Sequence, residues 1–170
     1  MEQVMRLPML SSRQVFAAIA LASAFAMAFA LYLQHGLGLE PCPLCVFQRV
    51  AMISTGVIAA LAALHNPSAT GRRIYALGLV LASLAGVVVA GRHVWLQHLP
   101  ADQVPSCGPG LDYWLDALPL RDVMVQVFQG SGECAVVDAA WLGISLPGWT
   151  LVTFSGLLLV SFWQMLRMRA

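Results

Sequence analysis

Four stretches of this chain are long and apolar enough to dictate its environment: Gln14 to Leu33, Val46 to Leu64, Ile74 to Gly91 and Trp149 to Leu166. A hydrocarbon core of about 30 Å takes about 20 helical residues, and each run comes near that length. Asp, Glu, Lys and Arg make up 10% of the chain and apolar residues 59%. An average soluble domain carries roughly 25% charged residues, so this chain has too little charge to cover a water-facing surface. The expected fold class is an all-α membrane protein, a four-transmembrane-helix bundle in one domain of residues 1–170. With a formal net charge of +1 there is no basic footprint, and nucleic acid is excluded as a partner. The first run also resembles a cleaved signal peptide, since Arg6 and Arg13 precede it and Ala28-Phe29-Ala30 lies within it. Its length is beyond a typical signal core and favours a retained anchor.

The arginines set the orientation, because short cytoplasmic segments are enriched in basic residues. Arg6 and Arg13 precede span one, Arg72 and Arg73 lie in the inner loop 65–73, and Arg167 and Arg169 follow span four. The outer loops, 34–45 and 92–148, hold Glu40, Asp102, Asp112, Asp116, Asp122, Glu133 and Asp138. Both termini are therefore expected in the cytoplasm and both outer loops outside it. Cys42, Cys45, Cys107 and Cys134 all fall on the outer side, where disulfides persist.

Within the long outer loop, Leu120, Val123, Met124 and Val127 repeat at helical spacing with Arg121, Asp122 and Gln126 opposite. That pattern predicts a short helix lying on the bilayer surface. Pro105, Gly108, Pro109, Gly110, Gly130 and Gly132 surround Cys107 and Cys134, so both are expected in turn-rich backbone suited to an exchanging disulfide.

Cys42-Pro43-Leu44-Cys45 opens the second span. A helix start offers the positive end of the macrodipole and unpaired N–H groups, which favour thiolate over thiol, and thiolate is the species that attacks in exchange. The same cysteines read otherwise as structural staples or as zinc ligands. Zinc sites usually present two close pairs, whereas 26 residues separate Cys107 from Cys134, so no metal is expected. Taken alone, Cys107 and Cys134 read equally well as a staple. Cys42 and Cys45 favour redox turnover, because so small a ring stabilises a short connection little.

Arg49 lies four residues beyond Cys45, on the same helical face and about 6 Å deeper. A charge inside a span is costly and commonly marks a function or a snorkelling anchor. A cation beneath a nucleophilic sulfur suits an anionic or carbonyl-bearing acceptor, and a membrane-soluble carbonyl acceptor suggests a quinone.

Over nearly its whole length the chain resembles the DsbB family of bacterial inner-membrane disulfide bond formation proteins. The resemblance rests on Gln34-His35, Pro41-Cys42-Pro43-Leu44-Cys45 with Arg49, Pro119-Leu120, Gln126-Val127-Phe128, Ser131-Gly132-Glu133-Cys134-Ala135, Leu142-Gly143 and Pro147. It implies disulfides Cys42–Cys45 and Cys107–Cys134, with Cys107 forming the mixed disulfide with a DsbA-like periplasmic thiol oxidase. It further implies that electrons pass to Cys42 and Cys45, that Cys45 meets the quinone, either ubiquinone or menaquinone, and that Arg49 binds it. His93 matches a histidine near the quinone. The implied location is the bacterial inner membrane, with the lipid bilayer and its quinone pool as partners.

Two rival readings are a reductase of the vitamin K epoxide type and a disulfide-stapled tetraspan scaffold. The first places its ligand-contacting C-x-x-C near the chain end; the second needs no arginine inside a span. His35, His65 and His98 receive no role.

Overall fold

A computed structural model of the protein describes residues 11–137 and 139–167; Arg6, Asp138 and Arg169 lie outside the described residues. Four long helices carry the structure: α1 (Ser12–Leu37), α2 (Pro43–His65), α3 (Ala69–Gln97) and α7 (Leu146–Arg167). Among the described residues these are the helices long and apolar enough to cross a membrane. Between α3 and α7 lie α4 (Leu111–Ala117), α5 (Leu120–Gln129), α6 (Gly132–Ala135) and a hairpin of β1 (Ala140–Trp141) and β2 (Ile144–Ser145).

Local chemistry explains where the helices begin and end. Ser11 and Gln14 form a reciprocal capping box at the start of α1, and Gly38 closes it at φ 68°. Cys42 is the N-cap of α2 and Pro43 its first residue, where the missing N–H costs nothing. The C-x-x-C motif therefore straddles a helix start, as its sequence position suggested. Some hydroxyls inside the helices bond within their own turn: Ser54 donates to the Val50 carbonyl at 2.8 Å and Thr55 to that of Ala51 at 2.9 Å. Such bonds satisfy hydroxyls where no water is available.

Packing runs along the seams α1–α2, α2–α3 and α3–α7, and among the described residues no comparable seam joins α1 to α7. Phe16, Ile19, Met52, Leu79 and Phe154 lie in the core between them. Gly86 lets α3 approach α7, because a Cβ there would stand 2.3 Å from the Phe154 ring. Leu21, Phe25, Leu64 and Leu159 point outward and are strongly exposed, the inverse of a soluble bundle.

The helices outrun the apolar runs, most plainly at the end of α3. Arg92 marks the end of the apolar run, yet the helix continues to Gln97. Its guanidinium donates to the carbonyls of Phe128 and Gln129, both at 2.8 Å, and stacks 4.1 Å from the Trp95 ring centroid. The charge is thus satisfied on the helix and does not end it. The periodic segment between α3 and α7 is helical, as α5, but its apolar face is divided. Val123 and Val127 pack with Leu44, Leu96 and Trp114 in a second core, whereas Leu120 remains exposed.

Candidate redox site

At the end of the bundle where α2 begins, Cys42 and Cys45 stand one turn apart across the helix start. All four cysteines are free thiols in the structure, so neither expected bridge is closed in it. The Cys42 thiol donates to Cys45 Sγ at 3.1 Å. From α3, the buried His93 ring places Nε2 3.8 Å from Cys42 Sγ and Nδ1 4.0 Å from Cys45 Sγ. Gln48, also buried, holds the ring through a 3.0 Å contact between its Nε2 and His93 Nδ1.

Cys134 reaches the same place from α6. It is buried, and its strongest interaction is with the Cys42 side chain, which lowers its pKa from 9.0 to about 6. Burial opposes that shift, and N–H groups and the Ser131 hydroxyl reinforce it. The complementary effect holds Cys42 protonated: donation to Cys134 and then to Cys45 raises its pKa. Cys42 therefore stands between two other sulfurs. Cys107 remains outside this group and exposed. Its segment nevertheless lies on α6: Gly132 N–H donates to the Ser106 carbonyl at 3.3 Å, and a Cβ at Gly132 would meet Cys107 Sγ at 3.0 Å.

On the other side of Cys45 a cavity of about 240 Å³ opens among α1, α2 and α7. Met27, Phe29, Leu33, Met52 and Trp149 give it apolar walls, and Cys45, Gln48 and Arg49 line it as well. Arg49 is held in place by α1, donating to Gln34 Oε1 and to the Ala30 carbonyl at 3.3 Å. His93 lines a second, smaller cavity of about 50 Å³ together with Cys42, Cys45 and Glu133. It is thus on the sulfur side of the site and does not line the larger cavity.

A match to known proteins follows this geometry. The family model for DsbB, Disulfide bond formation protein DsbB, matches residues 12–164. The chain belongs to the DsbB family. It is 57% identical over 159 residues to Disulfide bond formation protein B of Acinetobacter baumannii, covering 93% of each chain. Against the protein of the same description from Acinetobacter baylyi it is 58% identical over 158 residues, 92% of each chain. The corresponding Chromobacterium violaceum protein is 46% identical over 160 residues, 94% of this chain and 96% of that one. A DsbB-family chain is a disulfide bond formation protein, and here Cys42, Cys45 and Cys134 converge at one end of a four-helix membrane bundle.

Gln48 is the residue to which sequence reasoning assigned no role. A glutamine buried near the start of an apolar span was the available signal, but its partner His93 is 45 positions away.

Proposed function

We propose that this chain is a protein-disulfide:quinone oxidoreductase of the bacterial inner membrane. It reoxidises a periplasmic DsbA-like thiol oxidase and delivers the electrons to membrane ubiquinone or menaquinone, with both termini cytoplasmic. The observation that carries this reading is the position of the Cys42–Cys45 pair. Cys42 faces Cys134, and Cys45 borders the cavity that also contains Arg49.

In the first exchange, a partner thiolate attacks Cys107 of a Cys107–Cys134 disulfide, and Cys134 leaves as thiolate. The partner's second thiolate displaces Cys107, so the partner leaves oxidised and the loop pair is reduced by two electrons. Cys134 then attacks Cys42 of a Cys42–Cys45 disulfide, with Cys45 as leaving group. The backbone N–H groups at Leu44 and Ser131 and the Ser131 hydroxyl, which do not depend on a Cys42 thiol, favour the Cys134 thiolate for this attack. Cys107 next attacks Cys134 and releases Cys42, which restores the loop disulfide and leaves Cys42 and Cys45 reduced.

The larger cavity fits a quinone head group, with mostly apolar walls, a sulfur, the Arg49 guanidinium and the Glu40 side chain. Quinone there supplies a two-electron, two-proton acceptor. Arg49 would hold a carbonyl oxygen through a charge-assisted hydrogen bond, and Gln34 and Ala30 keep its guanidinium from turning away. Cys45 yields the electrons, and Cys42 closes the disulfide. The side between α1 and α7, which no such seam closes among the described residues, supplies a way in from the lipid.

The test is anaerobic mixing of the purified protein with a reduced DsbA-like partner and a defined quinone, following quinone absorbance and thiol content together. Stoichiometric loss of both supports the relay. Thiol loss without quinone reduction removes quinone as the acceptor.

A further inference from the structure

We infer that the reduced protein contains a binding site for a thiophilic d10 cation such as Zn2+, built from Cys42, Cys45 and His93. One donor atom from each of these three residues lies within 4.8 Å of the other two. A tetrahedral zinc ion, with Zn–S about 2.3 Å and Zn–N about 2.0–2.1 Å, separates two sulfurs by about 3.8 Å and a sulfur from a nitrogen by about 3.6 Å. Here the sulfurs are 3.1 Å apart, and His93 Nε2 is 3.8 Å from Cys42. Cys45 Sγ is 4.0 Å from Nδ1 of the same ring, so a parting of the two thiols with a small turn of the imidazole brings all three donors onto one ion. Binding is not a redox step: two thiols lose two protons, and the ion gains two thiolates and an imidazole.

Three further features suit a metal site. First, the His93 ring is already held by Gln48. The Gln48 side-chain amide sits 3.0 Å from Nδ1, and with its oxygen turned to that nitrogen it accepts Nδ1–H and leaves Nε2 free to bind metal. Second, the cavity of about 50 Å³ is lined by all three ligands, giving the ion a place and an entry path. Third, that cavity is also lined by Glu133, a carboxylate able to fill the fourth position directly or through water, while Cys134 lies against Cys42 as a further sulfur. Sequence spacing argues against zinc because it pairs Cys107 with Cys134. The fold instead supplies a histidine from α3.

The site exists only while Cys42 and Cys45 are reduced, since a disulfide removes both thiolates. An ion bound there ties up the sulfurs that must be reoxidised, so it arrests the protein between electron uptake and release. This consequence rests on the proposed relay; the binding itself does not.

The test uses the full chain in detergent, reduced with a phosphine, freed of it anaerobically, and titrated with Co2+ and then Zn2+. One equivalent of Co2+ is expected to give thiolate-to-metal charge-transfer bands that Zn2+ abolishes. Cys42→Ala and His93→Ala should each weaken Zn2+ by more than about 100-fold, Gln48→Leu by about 10-fold as an outer-shell loss, and Cys107→Ala by less than about twofold. Equal binding by the oxidised protein, or unchanged affinity in His93→Ala, overturns the site. Helical circular dichroism identifies a variant that fails to fold, and Gln48→Leu then provides the decisive titration. Quinone reduction is measured separately, so a failed relay and a failed metal site give different results.

Discussion

The two cysteine pairs occupy opposite kinds of backbone. Cys42 and Cys45 are fixed by the first turn of α2, with Pro43 setting the helix start and His93 and Gln48 packed against them. Cys107 sits on irregular chain, and Cys134 on a helix of four residues. A thiol that must meet a separate protein needs exposure and freedom to move, while one that must meet a small acceptor needs fixed geometry. The contrast within each pair is as instructive. Cys107 is exposed, while Cys134 is buried against Cys42.

The largest effect that could break this division of labour is expected from Cys107→Ala. It should abolish oxidation of a DsbA-like partner while reduced Cys42 and Cys45 still react with quinone. A variant that oxidises the partner at the original rate would put electron entry elsewhere. Arg49→Ala should lower quinone-linked turnover by about 10- to 100-fold, the worth of a charge-assisted hydrogen bond, with partner thiol exchange nearly unchanged. Equal losses in both half-reactions would remove the assigned role.

Cys134 provides a pH test of the contact between the pairs. With a pKa of about 6, its thiolate is present above that pH and lost as pH falls through it. Removing the Cys42 side chain deletes the largest cause, so in reduced Cys42→Ala the midpoint should rise toward 9.0. Alkylation rates against pH, mapped to Cys134 by mass spectrometry, report the shift; an unmoved midpoint would detach Cys134 from Cys42. A smaller effect is expected from Gly132→Ala. Its Cβ would stand 2.9 Å from the Pro105 carbonyl oxygen and 3.0 Å from Cys107 Sγ, so the Cys107 segment must shift. Slower partner exchange with unchanged quinone reduction is the expected result in stopped-flow measurements.

Much of this molecule was legible because the bilayer imposes a simple rule on sequence. The four spans follow from length and hydropathy, and the C-x-x-C motif was expected to open the second span, although α2 begins at Pro43, three residues ahead of the apolar run from Val46. Helix α5 follows from the period of Val123 and Val127. The end of α3 was not legible, because Arg92 looks like a boundary until the carbonyls of Phe128 and Gln129 are seen to receive it. The approach of Cys134 to Cys42 depends on how α4 to α6 fold back, and no local pattern encodes that. Likewise, Gln34 and Ala30 on α1 reveal themselves as supports for Arg49 only when α1 and α2 are packed.

The lack of a packed seam between α1 and α7 among the described residues changes how supply to the larger cavity is reckoned. A guest arriving sideways is dosed by its mole fraction in lipid or detergent, and its molarity in the buffer is irrelevant. Saturation curves for the proposed acceptor should therefore collapse onto one line when plotted per amphiphile, and diluting with empty micelles should slow the reaction at constant total quinone.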